Sequence, residues 1–133
     1  MSKTYSGLLW IAVAMGCSGA EADKETGAAA NCETTWQVTT TDDQSNMDAF
    51  MDFSPEDLTI AAGDCVMFIM SPSHNAVEIS EENYTARDAT ALDGGFNVGF
   101  GQTQTVAFDT PGVHYYVCQP HVASDMVGTI TVE

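Results

Sequence analysis

Basic residues are almost missing from this sequence: three Lys and Arg stand against nineteen Asp and Glu, a formal net charge of −16 over 133 residues. Such a chain repels nucleic-acid phosphates and anionic membrane surfaces, so neither is expected as a partner. The acidity suits a basic protein partner, or simply solubility in a salty medium. Histidine is also scarce, at three. That excludes an enzyme built on several metal centres, each of which needs its own set of imidazoles. Proline numbers four and the hydrophobic share is 44%, which reads as globular rather than disordered. Internal repeats are absent, and no stretch carries a convincing helix over most of the length. The length leaves room for one domain and some leader.

Long apolar runs are lacking too. The run from Leu8 to Met15 falls far short of the roughly 20 residues needed to cross a bilayer. With Lys3 ahead of it, it reads as an export signal over residues 1–16. Gly16-Cys17 follows, as at the end of a bacterial lipobox, where the Cys is lipidated; Ala14 and Met15 depart from that pattern. The alternative is ordinary cleavage among the small residues between Ser18 and Ala30. Either way the domain is expected outside the cytoplasm, in the periplasm or envelope. Residues 17–31, rich in Ala, Gly, Glu and Asp, read as a flexible tether, and 32–133 as the folded domain.

Within that domain the signal is β. Thr35 to Thr41 is β-branched and aromatic, Leu58 to Ile60 precedes the turn Ala61-Ala62-Gly63-Asp64, and Cys65 to Met70 follows as an unbroken apolar run suited to a sheet centre. Gln104 to Phe108 leads through Asp109-Thr110-Pro111-Gly112 to Val113–Cys118, and the last strand alternates from Met126 to Glu133. Glu81 to Leu92 has room for a short helical turn. Short strands with Gly and Pro turns at this spacing predict an all-β sandwich of two sheets.

The chemistry is concentrated in Cys118-Gln119-Pro120-His121-Val122-Ala123-Ser124-Asp125-Met126. A thiolate, an imidazole and a thioether on one loop are the mixed donors that a copper ion cycling between two oxidation states prefers, with a second imidazole completing the set. His74, just past the buried strand, is placed to supply it, because the two strand ends can share a pole of the sandwich. The predicted metal ligands are therefore His74, Cys118, His121 and Met126, for a single copper. His114 lies four residues before Cys118 in the same strand, about 13 Å away, too far to share the ion.

Phe53-Ser54-Pro55, Gly63-Asp64, His74-Asn75, Gly112-Val113-His114-Tyr115-Tyr116-Val117-Cys118, Pro120-His121 and Met126-Val127-Gly128-Thr129-Ile130 together resemble the cupredoxins, in the plastocyanin and pseudoazurin branch. The resemblance covers most of residues 35–133. It implies an eight-stranded Greek-key sandwich with a mononuclear type 1 copper at one pole, and an exported electron carrier without enzyme activity. It implies that His121 is the electron port, that Asn75 braces the ligand loops, and that an apolar pole docks partners. Those partners are redox proteins such as a basic c-type cytochrome or a terminal reductase or oxidase, met by a monomer. It implies that the first and third strands are parallel neighbours, so that Cys32 and Cys65 form a disulfide at the pole opposite the copper; the alternative is two reduced thiols. Glu78, Glu81 and Glu82 resemble in placement the acidic patch of plastocyanins. Two positions depart from the pattern. Val117 stands where plant-type plastocyanins carry Tyr, and Asp125 stands where Gly or Ala is common, bringing a charge close to the site.

Rival readings share parts of this set. An envelope storage or delivery protein would use the same copper ligands without electron transfer. A closed zinc site would accept the thiolate and imidazoles, but a thioether is a poor zinc ligand. A dinuclear copper centre needs a second Cys on the loop, and Gln119 to Asp125 contains none.

Overall fold

A computed structural model describes residues 31–133. The expected export signal, Cys17 and nearly all of the tether lie outside the described residues. The strands are β1 (Thr35–Thr39), β2 (Asp57–Ile60), β3 (Asp64–Ile69), β4 (Ala76–Ile79), β5 (Asn97–Val98), β6 (Thr103–Phe108), β7 (Gly112–Val117) and β8 (Val127–Val132). Two short helices, α1 (Met47–Phe50) and α2 (Glu81–Ala86), and a 3₁₀ segment (Gln119–Ser124) complete the described elements.

The strands form two sheets, ordered β1-β3-β6 and β2-β8-β7-β4-β5. β1 runs parallel to β3 and β2 parallel to β8, while the other pairings are antiparallel. Most connections cross from one sheet to the other, as the buried apolar faces require. β7 and β8 are the exception that matters, since they pair directly and the Cys118–Met126 segment joins them. Val77 opposes Val117, so the β3–β4 crossing emerges beside the end of β7. His74 lies on that crossing. Register therefore delivers the two candidate ligand loops to one pole.

The apolar run of β3 is central in its sheet, as expected, with Cys65, Val66 and Phe68 buried. The inter-sheet core also holds Val38, Phe53, Ile60, Tyr116, Ile130 and Val132. Rings of Phe53, Phe68 and Phe96 surround Tyr116 at centroid distances of 4.7, 5.4 and 5.9 Å. Gly128 faces that ring. A Cβ there would come 2.5 Å from Tyr116 Cζ and 2.7 Å from the Glu56 carbonyl, so the close approach of β8 to β7 depends on glycine. A second apolar cluster of Ile79, Val117 and Val127 lies under Tyr84, Tyr115 and Val122. Val117, the position where a Tyr is common, thus packs on this second face rather than in the main core.

Cys32 and Cys65 form a disulfide with a Cα–Cα distance of 5.3 Å, at the start of the parallel β1–β3 pair. This is the pairing that the resemblance implied. Nearby, the buried Asp64 carboxylate accepts from Trp36 Nε1 (2.9 Å) and Ala61 N (3.1 Å), closing the turn into β3. The bond from Trp36 holds Asp64 below the usual carboxylate range.

Two features differ from the sequence reading, and the expected helical turn is present. β1 ends at Thr39 rather than Thr41, because Thr40 Oγ1 is diverted to accept from Ser71 N and the Thr41 carbonyl is drawn toward His74. β4 and β5 were not foreseen. β5 has two residues, too few to carry a period. The short helical turn appears as α2, capped by Ser80 Oγ accepting from Asn83 N.

Candidate metal centre

Cys118 lies at the end of β7, fully buried, and caps the 3₁₀ segment that follows. Pro120 sits in the first turn of that segment, where its missing N–H costs nothing. The turn returns His121 toward Cys118, with His121 N donating to the Cys118 carbonyl at 3.1 Å. Cys118 Sγ then lies 3.4 Å from His121 Nδ1 and 3.6 Å from His74 Nδ1. Ligand atoms from these three residues all fall within 4.8 Å of one another, the one such His/Cys/Asp/Glu group among the described residues. Met126 is fully buried beside them. Its carbonyl accepts from Cys118 N at 3.0 Å and its N–H donates to the His121 carbonyl at 3.3 Å. His114 is held away from the cluster by a 2.7 Å contact between its Nδ1 and Glu78 Oε2.

Neighbouring groups fix how these side chains present themselves. His74 is buried, and its Nε2 lies 3.0 Å from the Thr41 carbonyl. A carbonyl can only accept, so Nε2 carries the proton and the Nδ1 lone pair faces Cys118. Burial also pushes the His74 pKa down, which keeps the ring neutral. Burial raises the Cys118 thiol above its ordinary value, so without metal it holds its proton at neutral pH.

Asn75 joins the two loops. Its Oδ1 accepts from Gln119 N at 2.9 Å, and its Nδ2 donates to Gln119 Oε1 at 3.1 Å. Gln119 Nε2 continues to the Ala89 carbonyl at 2.9 Å. This is the bracing role expected of Asn75, with Gln119 as its partner.

Phe50 was missed in the sequence. It lies edge-on to His74 at 4.8 Å and to His121 at 5.6 Å, walling off the site. α1 brings it there, and the cap was readable in the sequence: Asn46 Oδ1 accepts from Ala49 N at 3.3 Å. The acidic patch needs correcting. Glu78 turns inward to His114 and to Phe96 N, leaving Glu81 and Glu82 exposed at the start of α2. Asp125 does not present a bare charge either, because Arg87 Nε donates to its Oδ1 at 2.8 Å.

One buried thiol and two imidazole nitrogens converging on a common centre, with a thioether residue alongside, match the soft and borderline donors that copper accepts in both oxidation states. The donor set therefore fits the ion. The comparisons agree with this chemistry. The family described as copper binding proteins, plastocyanin/azurin family, matches residues 37–133. The chain is 34% identical over 84 residues to plastocyanin from Scenedesmus fuscus, covering 61% of this chain and 86% of that one. It is 37% identical over 84 residues to plastocyanin from Prochlorothrix hollandica, covering 61% of this chain and 63% of that one. Among solved structures it resembles pseudoazurin from Methylobacterium extorquens, with a TM-score of 0.55, 28% identity and 74% of each chain covered. On fold, site and relatives together, the chain belongs to the plastocyanin/azurin family of copper-binding proteins and is a blue-copper electron-transfer protein of the plastocyanin and pseudoazurin branch.

Proposed function

We propose that His74, Cys118, His121 and Met126 are the ligands of one type 1 copper, and that the protein passes single electrons between redox proteins without substrate chemistry. The observation that carries this reading is the convergence of Cys118 Sγ with the Nδ1 atoms of His74 and His121. Copper held there supplies a one-electron couple. The chain's own residues do the rest. Thr41 fixes the tautomer of His74, Asn75 holds the two loops at a set separation, and Phe50 excludes water from the histidine edges. His121, half-buried where the other ligands are buried, is the edge nearest a docked partner. Loading requires Cys118 to give up its proton, so uptake is coupled to pH.

The partner we propose is a basic redox protein such as a c-type cytochrome, drawn by a net charge of −16. Its approach should slow as salt shortens the Debye length to about 8 Å at physiological ionic strength. The domain works as a monomer outside the cytoplasm, joined through Cys17 to lipid or released by signal cleavage. The Cys32–Cys65 disulfide supports an oxidising compartment. No helix among the described residues is long and apolar enough to cross a membrane.

The direct test is to add Cu(II) to the purified, disulfide-bonded domain and record visible and EPR spectra. An intense sulfur-to-copper charge-transfer band is expected, and Cys118→Ser should abolish it. A wild-type protein that stays colourless on binding copper would overturn the ligand assignment.

A further inference from the structure

Two non-glycine residues among those described adopt the left-handed region, Arg87 (φ 57°) and Asp125 (φ 65°). Each ends a helical segment: Arg87 follows α2, and Asp125 follows the 3₁₀ segment that carries His121. They are bonded to each other, with Arg87 Nε donating to Asp125 Oδ1 at 2.8 Å. Side chains with a Cβ are disfavoured in this region, and the surroundings must hold them there. Asp125 immediately precedes Met126, and its N–H donates to the Val122 carbonyl at 3.0 Å. The bonds in which Met126 engages Cys118 and His121 start at the next residue.

Arg87 is itself firmly seated. Its guanidinium lies 5.0 Å from the Tyr84 ring centroid, and Nη1 donates to the Tyr84 carbonyl at the end of α2. It is also the one Lys or Arg at positions 31–133, the other two of the chain being Lys3 and Lys24. In so acidic a domain, the single cation is spent on the residue beside Met126. The pair is solvent-exposed, with side chains 36% and 76% accessible, so its direct contribution to stability is small. Its value lies in where it holds the loop.

We infer that Arg87 is a positioning residue for the metal loop. Its bond to Asp125 fixes the left-handed turn from which Met126 enters the site, and its charge offsets that of Asp125. The inference rests on the ligand reading above. Removing Arg87 frees the turn and leaves a negative charge near the metal, which favours Cu(II) over Cu(I).

The test compares wild type, Arg87→Gln, Arg87→Lys, Asp125→Gly and the double variant Arg87→Gln/Asp125→Gly. Glycine accepts the left-handed turn without help and carries no charge. Visible and EPR spectra and the reduction potential are read on copper-loaded proteins, and amide hydrogen exchange at Asp125 and Met126 on the copper-free wild type and Arg87→Gln. Arg87→Gln should lower the potential, change the intensity ratio of the visible bands, and speed exchange at both amides. Arg87→Lys should recover the potential at least in part. In the Asp125→Gly background, Arg87→Gln should produce no further spectral change. An Arg87 that serves α2 alone would give equal effects in both backgrounds, which overturns the inference, as do unchanged spectra and exchange in Arg87→Gln. A colourless wild type removes the ligand reading, whereas a blue wild type with unaltered variants removes this inference alone.

Discussion

Replacing Asn75 with Ala tests whether the two ligand loops are mechanically coupled. Asn75 is 3% exposed, and it both accepts from Gln119 N and donates to Gln119 Oε1. Truncation deletes both bonds. A typical net contribution is about 1 kcal/mol per bond, and a buried donor left without its partner costs about 1–3 kcal/mol. The half-buried Gln119 turns partly to water, so the copper-free protein should lose about 2–3 kcal/mol. For a domain of this size that is a fall in Tm of about 4–8 °C per kcal/mol. Copper affinity should fall more selectively, because ligand orientation depends on the partners behind the ligands; losses of about 10–100-fold are usual when such a partner is removed. The assays are urea unfolding of the copper-free protein and competition for copper against a chelator of known affinity. Asn75→Asp keeps the acceptor for Gln119 N but loses the donor, so it should fall between wild type and Ala in affinity. An Asn75→Ala protein that matches wild type in both assays would refute the coupling.

Three further outcomes follow from the same geometry. The Cys32→Ser/Cys65→Ser protein loses the closure of a 33-residue separation, for about 3.7 kcal/mol in the chain-entropy treatment, measured by urea unfolding with and without reductant; wild-type stability would rule out that contribution. Gly128→Ala drives a methyl against Tyr116 and the Glu56 carbonyl, so a loss of about 1–3 kcal/mol is expected in thermal melts. The pH dependence has a definite sign. The folded His74 pKa lies below its ordinary value, so its contribution is present at neutral pH and lost as pH falls through the usual histidine range; the depressed Asp64 pKa makes a contribution that is lost at still lower pH, through its folded value. Copper uptake, followed by the visible band and by proton release, should strengthen with rising pH because the Cys118 thiol is raised. A flat dependence between the histidine and thiol ranges would contradict it.

The sequence alone determined the chemistry and the class of fold. Three donor types at fixed spacing on one loop, from Cys118 to Met126, state their own preference for a metal, and residues this close in sequence need little tertiary help to meet. Strand propensity and turn residues likewise marked β1, β2, β3, β6, β7 and β8, because period and punctuation are local properties. Only the tertiary structure decided what depends on pairing across the sandwich. Opposition of Val77 and Val117 brings His74 over the end of β7, 44 residues from Cys118 in sequence. Phe50 reaches the histidines from a one-turn helix, and Glu78 pairs inward with His114 although its neighbourhood suggested an exposed patch. Arg87 meets Asp125 across 38 positions. Which side chain faces which is set by register and sheet crossing, and a one-residue slip would reverse it.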